Sequence, residues 1–143
     1  MIEKILHAIA SSYALTDVRG VILSWFTLDG SLVASQWTLQ TTKSIEQLVN
    51  ILYNALGSSQ DISSFAVDIV KDVIEQTDKE KFVWLDMSTY GICIVANGMS
   101  GIMLPWTTWI HSSKDALAAV KKKYTITGKV RLYSFTTDRI LIK

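Results

Sequence analysis

The segment from Leu85 to Arg139 carries the clearest structural signals in this chain. Its landmarks are Leu85-Asp86-Met87-Ser88-Thr89-Tyr90-Gly91, Asn97-Gly98, Gly101-Ile102-Met103-Leu104-Pro105 and Phe135-Thr136-Thr137-Asp138-Arg139. An Asn-Gly pair between two apolar runs is a strong hairpin signal, because both residues readily adopt the positive φ of a type I′ turn. The stretch therefore predicts a buried strand over Tyr90–Ala96, a tight turn and a return strand over Gly101–Leu104.

Hydrophobic periodicity predicts the other elements. Apolar residues three and four apart indicate amphipathic helices over 2–14, from Ser44 to Leu56 and from Ser112 to Tyr124. Short polar pairs, Ser44 with Gln47 and Ser112 with Asp115, are placed to cap the second and third of these helices. Alternation predicts strands over Gly20–Thr27, Ser31–Gln40, 64–74, Phe82–Leu85 and Lys129–Ile142.

These elements define an α+β fold with a mixed or antiparallel β-sheet flanked by about three α-helices. The chain has 143 residues, 49% of them hydrophobic and 19% charged. That length fits a single domain over residues 1–143 with a substantial core. On the third helix we expect Leu117 and Val120 in the core, while Lys121–Lys123 offset the helix dipole in the last turn.

Charge and cysteine content limit the possible partners. A net charge of +1 gives no general attraction to nucleic acid or to an anionic membrane. The uncharged stretch from Met87 to Ser113 is broken by glycines and Pro105 into pieces too short to span a bilayer, so no membrane partner is expected. The lone Cys93 excludes an internal disulfide and fits a cytoplasmic protein. Its apolar neighbours indicate a buried, inert thiol.

The order of motifs resembles the AMMECR-type domain, also called AmmeMemoRadiSam system protein A. Members read roughly Leu-Asp-x-x-x-Tyr-Gly, an apolar strand, Gly-x-x-Gly-Leu-Leu-Leu-Pro, a helix, and an aromatic-x-x-acid-Arg strand. This chain matches that order best over residues 81–142, whereas Gly20–Leu56 matches only in layout. The resemblance implies a scaffold of that type and an association with Memo-like or radical-SAM proteins.

The chain departs from the family at its most distinctive motif. Family members carry Leu-Arg-Gly-Cys-Ile-Gly after the first hairpin turn, where this chain reads Leu32-Val33-Ala34-Ser35-Gln36-Trp37. Ser35 stands at the position of the cysteine, and the family's later Asp-Pro-Arg-Phe segment is absent. A serine needs an adjacent base to act as a nucleophile. Only His7 and His111 could supply an imidazole, and no spacing links either to Ser35, so a structural role is favoured.

Two other parts of the sequence, one loop and one arginine, contain candidate site residues. One loop contains Trp106, Trp109 and His111. These side chains could line a binding pocket or an interface, and they could equally pack over the sheet as part of the core. Arg139 could hold a carboxylate or phosphate, but we favour a structural ion pair with Asp138 or Asp86. The other three tryptophans lie on predicted strands and are expected in the core: Trp25, Trp37 and Trp84.

Three functional hypotheses remain open from the sequence. The first is a binding or assembly module that keeps the scaffold without the reactive cysteine. The second is an enzyme with a site lined by Ser35, His111 and Arg139. The third is a self-associating protein that uses Trp106 and Trp109 as its interface. No cofactor fingerprint and no metal-ligand spacing occurs in the sequence, so neither a cofactor nor a metal is expected.

Overall fold

The computed structural model describes residues 1–56, 62–105, 110 and 112–143. The elements run in the order α1 (Ile2–Ala10), β1 (Val21–Thr27), β2 (Leu32–Thr38), α2 (Ile45–Leu56), β3 (Ile62–Glu75), α3 (Lys79–Val83), β4 (Gly91–Ala96), β5 (Met99–Met103), α4 (Ser113–Lys123) and β6 (Arg131–Ile142). The predicted α+β class is confirmed. The described residues form one helix more than expected, the short α3.

The strands form one six-stranded sheet in the order β2-β1-β3-β6-β4-β5. The pairs of β1 with β2 and β3, and of β4 with β5 and β6, are antiparallel. At the β4–β5 turn Asn97 has φ of 51° and Gly98 has φ of 77°, which confirms the predicted type I′ geometry.

The residues group into two compact units, Met1–Lys71 with Asp138–Lys143, and Asp72–Thr137. In the first unit, α1 and α2 pack on one face of β1 and β3, which we call the helix-covered face. Its buried side chains are Ile5, Ile9, Val21, Leu23, Trp25, Ile45, Leu48, Val49, Leu52, Phe65, Val67, Ile69 and Ile142. The opposite face of the same strands carries Ile22, Ser24, Ala66 and Asp68, all of which are also buried.

The core of the second unit is formed by α3, α4 and β4. Its buried side chains are Phe82, Met87, Ile92, Ile94, Ala116, Val120 and Ile126. Two glycines allow aromatic rings to lie directly on the backbone of the sheet. A Cβ at Gly91 would lie 2.4 Å from the Phe135 ring, and one at Gly101 would lie 2.4 Å from the Tyr124 ring. Neither strand could accept a side chain there without moving the ring.

The predicted N-terminal caps of α2 and α4 are present in the structure. The Ser44 backbone nitrogen donates to Gln47 Oε1 at 2.9 Å, and the Gln47 nitrogen donates to Ser44 Oγ at 3.3 Å, which is a complete capping box. Ser112 Oγ accepts from the Asp115 nitrogen at 3.1 Å. By contrast, α1 ends at Ala10 rather than at residue 14. Ser11 Oγ donates to the Ala8 carbonyl there, and this local bond competes with helix continuation.

The predicted strand over Phe82–Leu85 is wrong. Residues Lys79–Val83 form α3, because the Asp78 side chain accepts from the backbone nitrogens of Glu80 and Lys81 and so caps a helix. Phe82 is the buried residue of this turn. Trp84 follows the helix end and is 85% exposed, so the expectation that it belongs to the core is also wrong.

The inward face of α4 is nearly as predicted. Val120 is buried in the core of the second unit, as expected. Leu117 packs against the same cluster but is only partly buried, and Ala116 takes the fully buried position instead. Among the described residues, none of the helices has both the length and the apolar character to cross a membrane.

Candidate functional site

Ser35 lies on β2, where the family that the chain resembles carries its cysteine. It pairs across the hairpin with Ser24 on β1, and the two hydroxyl oxygens are 2.9 Å apart. Ser24 is fully buried and Ser35 is partly buried. A hydroxyl neighbour cannot take up the proton of a nucleophilic serine, because its own basicity is far too low. The contact therefore explains Ser35 as one half of a partly buried hydroxyl pair.

An irregularity in β2 brings these hydroxyls together. Trp25 pairs with Ala34, whereas the next residue, Phe26, pairs with Leu32. Val33 is thus the extra residue of a β-bulge on β2. Because side chains alternate between the faces of a strand, the extra residue shifts the side chains that follow it to the other face. Ser35 consequently points to the same face as Ser24.

Arg139 forms a two-bond ion pair with Asp68. Its Nε lies 3.1 Å from Oδ1 and its Nη2 lies 3.0 Å from Oδ2. The Asp68 side chain is fully buried, whereas the Arg139 side chain is 27% exposed, so the guanidinium covers the carboxylate. The preferred interpretation of Arg139 as an ion-pair residue is confirmed. The predicted partners were wrong, because neither Asp138 nor Asp86 is the carboxylate that it holds.

Ser24, Ser35 and Asp68 share the opposite face of the first unit. Ile22 pairs with Asp68 and Ser24 pairs with Ala66, so Ser24 and Asp68 are diagonal neighbours on adjacent strands. Such diagonal positions are about 7–8 Å apart between Cα atoms. The structure thus brings Ser35 and Arg139 onto one face of one unit. It places a hydroxyl pair and a neutralised carboxylate there, without an imidazole among the described hydrogen-bond partners.

Asp138 contacts a separate group of residues. The Tyr13 hydroxyl and Lys71 Nζ, at 3.3 Å, both donate to its carboxylate. Burial and the bond to Asp138 raise the pKa of Tyr13 to about 12. The hydrogen bond from Tyr13 lowers the pKa of Asp138. Arg19 lies over the Tyr13 ring at 5.5 Å from its centroid. These contacts join the segment after α1 to β3 and β6.

The Asp86 carboxylate shapes the turn before β4. Its Oδ1 accepts from the Ser88 nitrogen at 3.0 Å and from the Ser88 hydroxyl at 2.7 Å, and the Thr89 hydroxyl donates to Oδ2 at 3.3 Å. These hydrogen bonds lower the pKa of Asp86, with the Ser88 hydroxyl as the largest cause. The aspartate of the Leu-Asp-x-x-x-Tyr-Gly motif thus has a structural role in this chain.

Of the remaining candidate site residues, the structure describes Cys93 and His7 but not the Trp106–His111 group. Cys93 is 6% exposed, and burial raises the pKa of its thiol to about 11, as expected for an inert cysteine. His7 is exposed on α1. The binding candidates Trp106, Trp109 and His111 lie outside the described residues. No three His, Cys, Asp or Glu side chains in the described part of the chain are grouped as metal ligands would be.

Sequence reasoning missed both partners in the site, Ser24 and Asp68. Each is a polar residue within an otherwise apolar strand, and that interruption was the available signal. Trp25 was expected in the core and lies there, but its indole nitrogen, unpaired within the described part of the chain, was not foreseen. Trp25 is 4% exposed, and its Nε1 is buried without a hydrogen-bond partner among the described residues.

Comparison with known proteins supports the fold and leaves the chemistry open. No family model matches the chain, and no curated protein does so either. A crystal structure of the uncharacterized protein PH0010 from Pyrococcus horikoshii is similar, with a TM-score of 0.70 and 14% sequence identity. The match covers 89% of this chain and 75% of that protein. At this identity the similarity shows a shared fold alone.

Proposed function

We propose that this protein is a divergent AMMECR-type domain that acts as a non-catalytic binding or assembly module. The observation that carries the proposal is the partnering of Ser35. The residue at the position of the family's cysteine bonds to a second hydroxyl, at 2.9 Å, instead of to a base. Serine hydroxyls without a base stay protonated at neutral pH and are poor nucleophiles.

The other polar groups of this face support the same conclusion. Arg139 is engaged by the buried Asp68 through two hydrogen bonds, an arrangement that fixes the guanidinium as a structural group. An enzyme that used Arg139 would need to break its ion pair with the buried Asp68. The scaffold residues that carry the family resemblance, such as Asp86 and Gly91, also have structural contacts.

The family resemblance indicates the class of partner. We infer that the protein acts in the cytoplasm and binds a Memo-like or a radical-SAM protein, as members of the resembled family are associated with such proteins. The net charge of +1 favours a protein partner over nucleic acid or an anionic membrane.

Two measurements test the proposal. Purified chain mixed with the Memo-like and radical-SAM proteins of the same organism should form a complex at micromolar concentrations in sedimentation velocity. A fluorophosphonate probe, which labels activated serines, should leave the native chain unmodified. Ser35→Ala supplies the matched control for labelling. Failure to form either complex, together with labelling that Ser35→Ala abolishes, would replace the binding module by the enzyme.

A further inference from the structure

The outer edge of β2 is an end of the sheet that carries no charge. β2 (Leu32–Thr38) is the last strand on its side, and within the described part of the chain it pairs with β1 alone. The sequence holds no Asp, Glu, Lys or Arg from Gly30 to Thr42, although such residues make up 19% of the chain. Natural edge strands are commonly protected from pairing with other chains by charged side chains or by proline. β2 has neither, and its bulge at Val33 leaves Ala34–Thr38 in regular register.

The hydrogen bonds of β1 show which backbone groups of β2 face outward. The Val70 nitrogen donates to the Gly20 carbonyl at 2.9 Å, so these two residues form a hydrogen-bonded pair between β3 and the start of β1. Hydrogen-bonded and non-hydrogen-bonded pairs alternate along antiparallel strands. By that alternation the backbone of Ser24 bonds to β3, and the backbone of its β2 partner Ser35 is directed away from β1. The 2.9 Å between the two hydroxyls agrees, because side chains lie closer in non-hydrogen-bonded pairs.

A second copy of the chain fits this edge. Outward N–H and C=O groups on a strand are complementary to another β-strand, and every copy brings an identical one. In a two-fold antiparallel pairing centred on Ser35, each residue meets the residue equally far beyond the centre in the other copy. Ala34 of one copy then lies opposite Gln36 of the other. Because β2 carries no charge, this pairing brings no like charges together.

The apolar side chains at the start of β2 gain partners in the same arrangement. Leu32 is 51% exposed and Val33 is 45% exposed. Antiparallel pairing sets this end of β2 beside the opposite end of the second copy's strand, which holds Trp37 and is followed by Leu39. Apolar cross-strand neighbours stabilise a sheet, so the pairing removes exposed apolar surface from water.

We propose that the protein forms a two-fold symmetric dimer through antiparallel pairing of the β2 edges of two copies. The backbone N–H and C=O of Ser35 in each copy bond across the axis to those of the other. Such an isologous contact closes after two copies. β5 (Met99–Met103), the last strand on the other side of the sheet, is also uncharged, but pairing β2 with β5 is heterologous and would give rings or open chains of copies. The inference does not depend on the proposed protein partner.

Ser35→Pro and Ser35→Ala are matched variants for the N–H that crosses the axis. Both remove the hydroxyl that bonds to Ser24, but only proline removes the outward N–H, and proline is tolerated on edge strands at positions whose N–H side faces solvent. Sedimentation equilibrium of the full chain should show a monomer–dimer equilibrium for the native protein and for Ser35→Ala. Ser35→Pro should weaken the dimer about tenfold or more, because two hydrogen bonds are lost in each dimer.

Disulfide formation tests the register of the pairing. Ala34 and Gln36 of the two copies would form a non-hydrogen-bonded pair with Cα atoms about 4.5 Å apart, which a disulfide can bridge. Equivalent residues, such as the two copies of Ala34, would be diagonal neighbours about 7–8 Å apart, which is too far. An oxidised mixture of Ala34→Cys and Gln36→Cys chains, each with Cys93→Ala, should therefore give a cross-linked dimer, and neither variant alone should do so.

The two experiments have distinct negative outcomes. A native chain that stays monomeric at all concentrations, or equal association of Ser35→Pro and Ser35→Ala, would overturn the proposal. Cross-linking of either cysteine variant alone as efficiently as the mixture would overturn the register and the two-fold axis with it. Oligomers larger than a dimer would assign the contact to β2 and β5 instead. The cross-linking experiment decides the matter even when Ser35→Pro does not fold.

Discussion

The Asp68–Arg139 pair offers the sharpest test of how the first unit is held together. Arg139→Met keeps most of the apolar stem of the side chain but removes the guanidinium that covers a fully buried carboxylate. Removing one partner of a buried pair costs about 3–5 kcal/mol, because the remaining charge is left uncompensated. At roughly 3 °C per kcal/mol for a chain of this size, the melting temperature should fall by about 10–15 °C.

A second arginine on β6 supplies the control. Arg131 also bonds to a carboxylate of β3, with Nη2 3.0 Å from Glu75 Oε2, but the two side chains are 69% and 36% exposed. An exposed pair contributes about 0–1 kcal/mol, so Arg131→Met should lower the melting temperature by about 3 °C or less. Thermal and urea unfolding followed by circular dichroism would measure both variants under one set of conditions.

The double variant separates the cost of the lone charge from the value of the pair. Asp68→Leu combined with Arg139→Met removes both charges, and such apolar replacements of buried pairs are often neutral or stabilising. The double variant should recover most of the stability that Arg139→Met loses. Equal losses for Arg139→Met and Arg131→Met, or a double variant no more stable than Arg139→Met, would refute the assignment of a buried pair.

Three further expectations concern individual side chains. Burial and the bond to Asp138 raise the pKa of Tyr13 to about 12, so a titration followed by absorbance at 295 nm should show a tyrosine that ionises above the usual range near 10 and that Tyr13→Phe removes. The folded state favours the neutral phenol, so this contribution to stability is present below pH 10 and is lost as the pH rises to about 12. Cys93, with a thiol pKa near 11, should resist iodoacetamide at pH 8 in the native chain and react once the chain is unfolded in urea. Val120→Ala should destabilise the protein by about 1–3 kcal/mol in urea unfolding, whereas Lys121→Ala should cost well under 1 kcal/mol, and similar midpoints would show that the α4 face is misassigned.

The sequence predicted correctly those features that depend on contacts between residues close together in the chain. The capping box at Ser44, the cap at Ser112 and the Asn97-Gly98 turn each depend on residues within a few positions of one another, and each was predicted correctly. The error at Phe82–Leu85 arose because aromatic and β-branched residues favour strands. The N-cap at Asp78, the residue immediately before α3, outweighed that preference.

The candidate site was harder to predict because its contacts depend on register and distance. Without the bulge at Val33, the turn after Thr27 would have placed Ala34 opposite Ser24, so the Ser24–Ser35 pair could not be derived from the hairpin sequence. Asp68 and Arg139 are 71 positions apart, and nothing local links them. Sequence reasoning could expect an ion pair for Arg139, but only the strand pairing identifies its partner.

The two glycines that lie under aromatic rings bear on how a chain of this fold can diverge. Phe135 over Gly91 and Tyr124 over Gly101 leave no room for even a methyl group, so substitution at these glycines disturbs the sheet itself. Ser35 is restricted in a different way, by its hydrogen bond to the buried Ser24 rather than by contact between its backbone and a ring. A motif built around those glycines therefore reports how the sheet is packed, and it carries no information about the chemistry of the strand that holds Ser35.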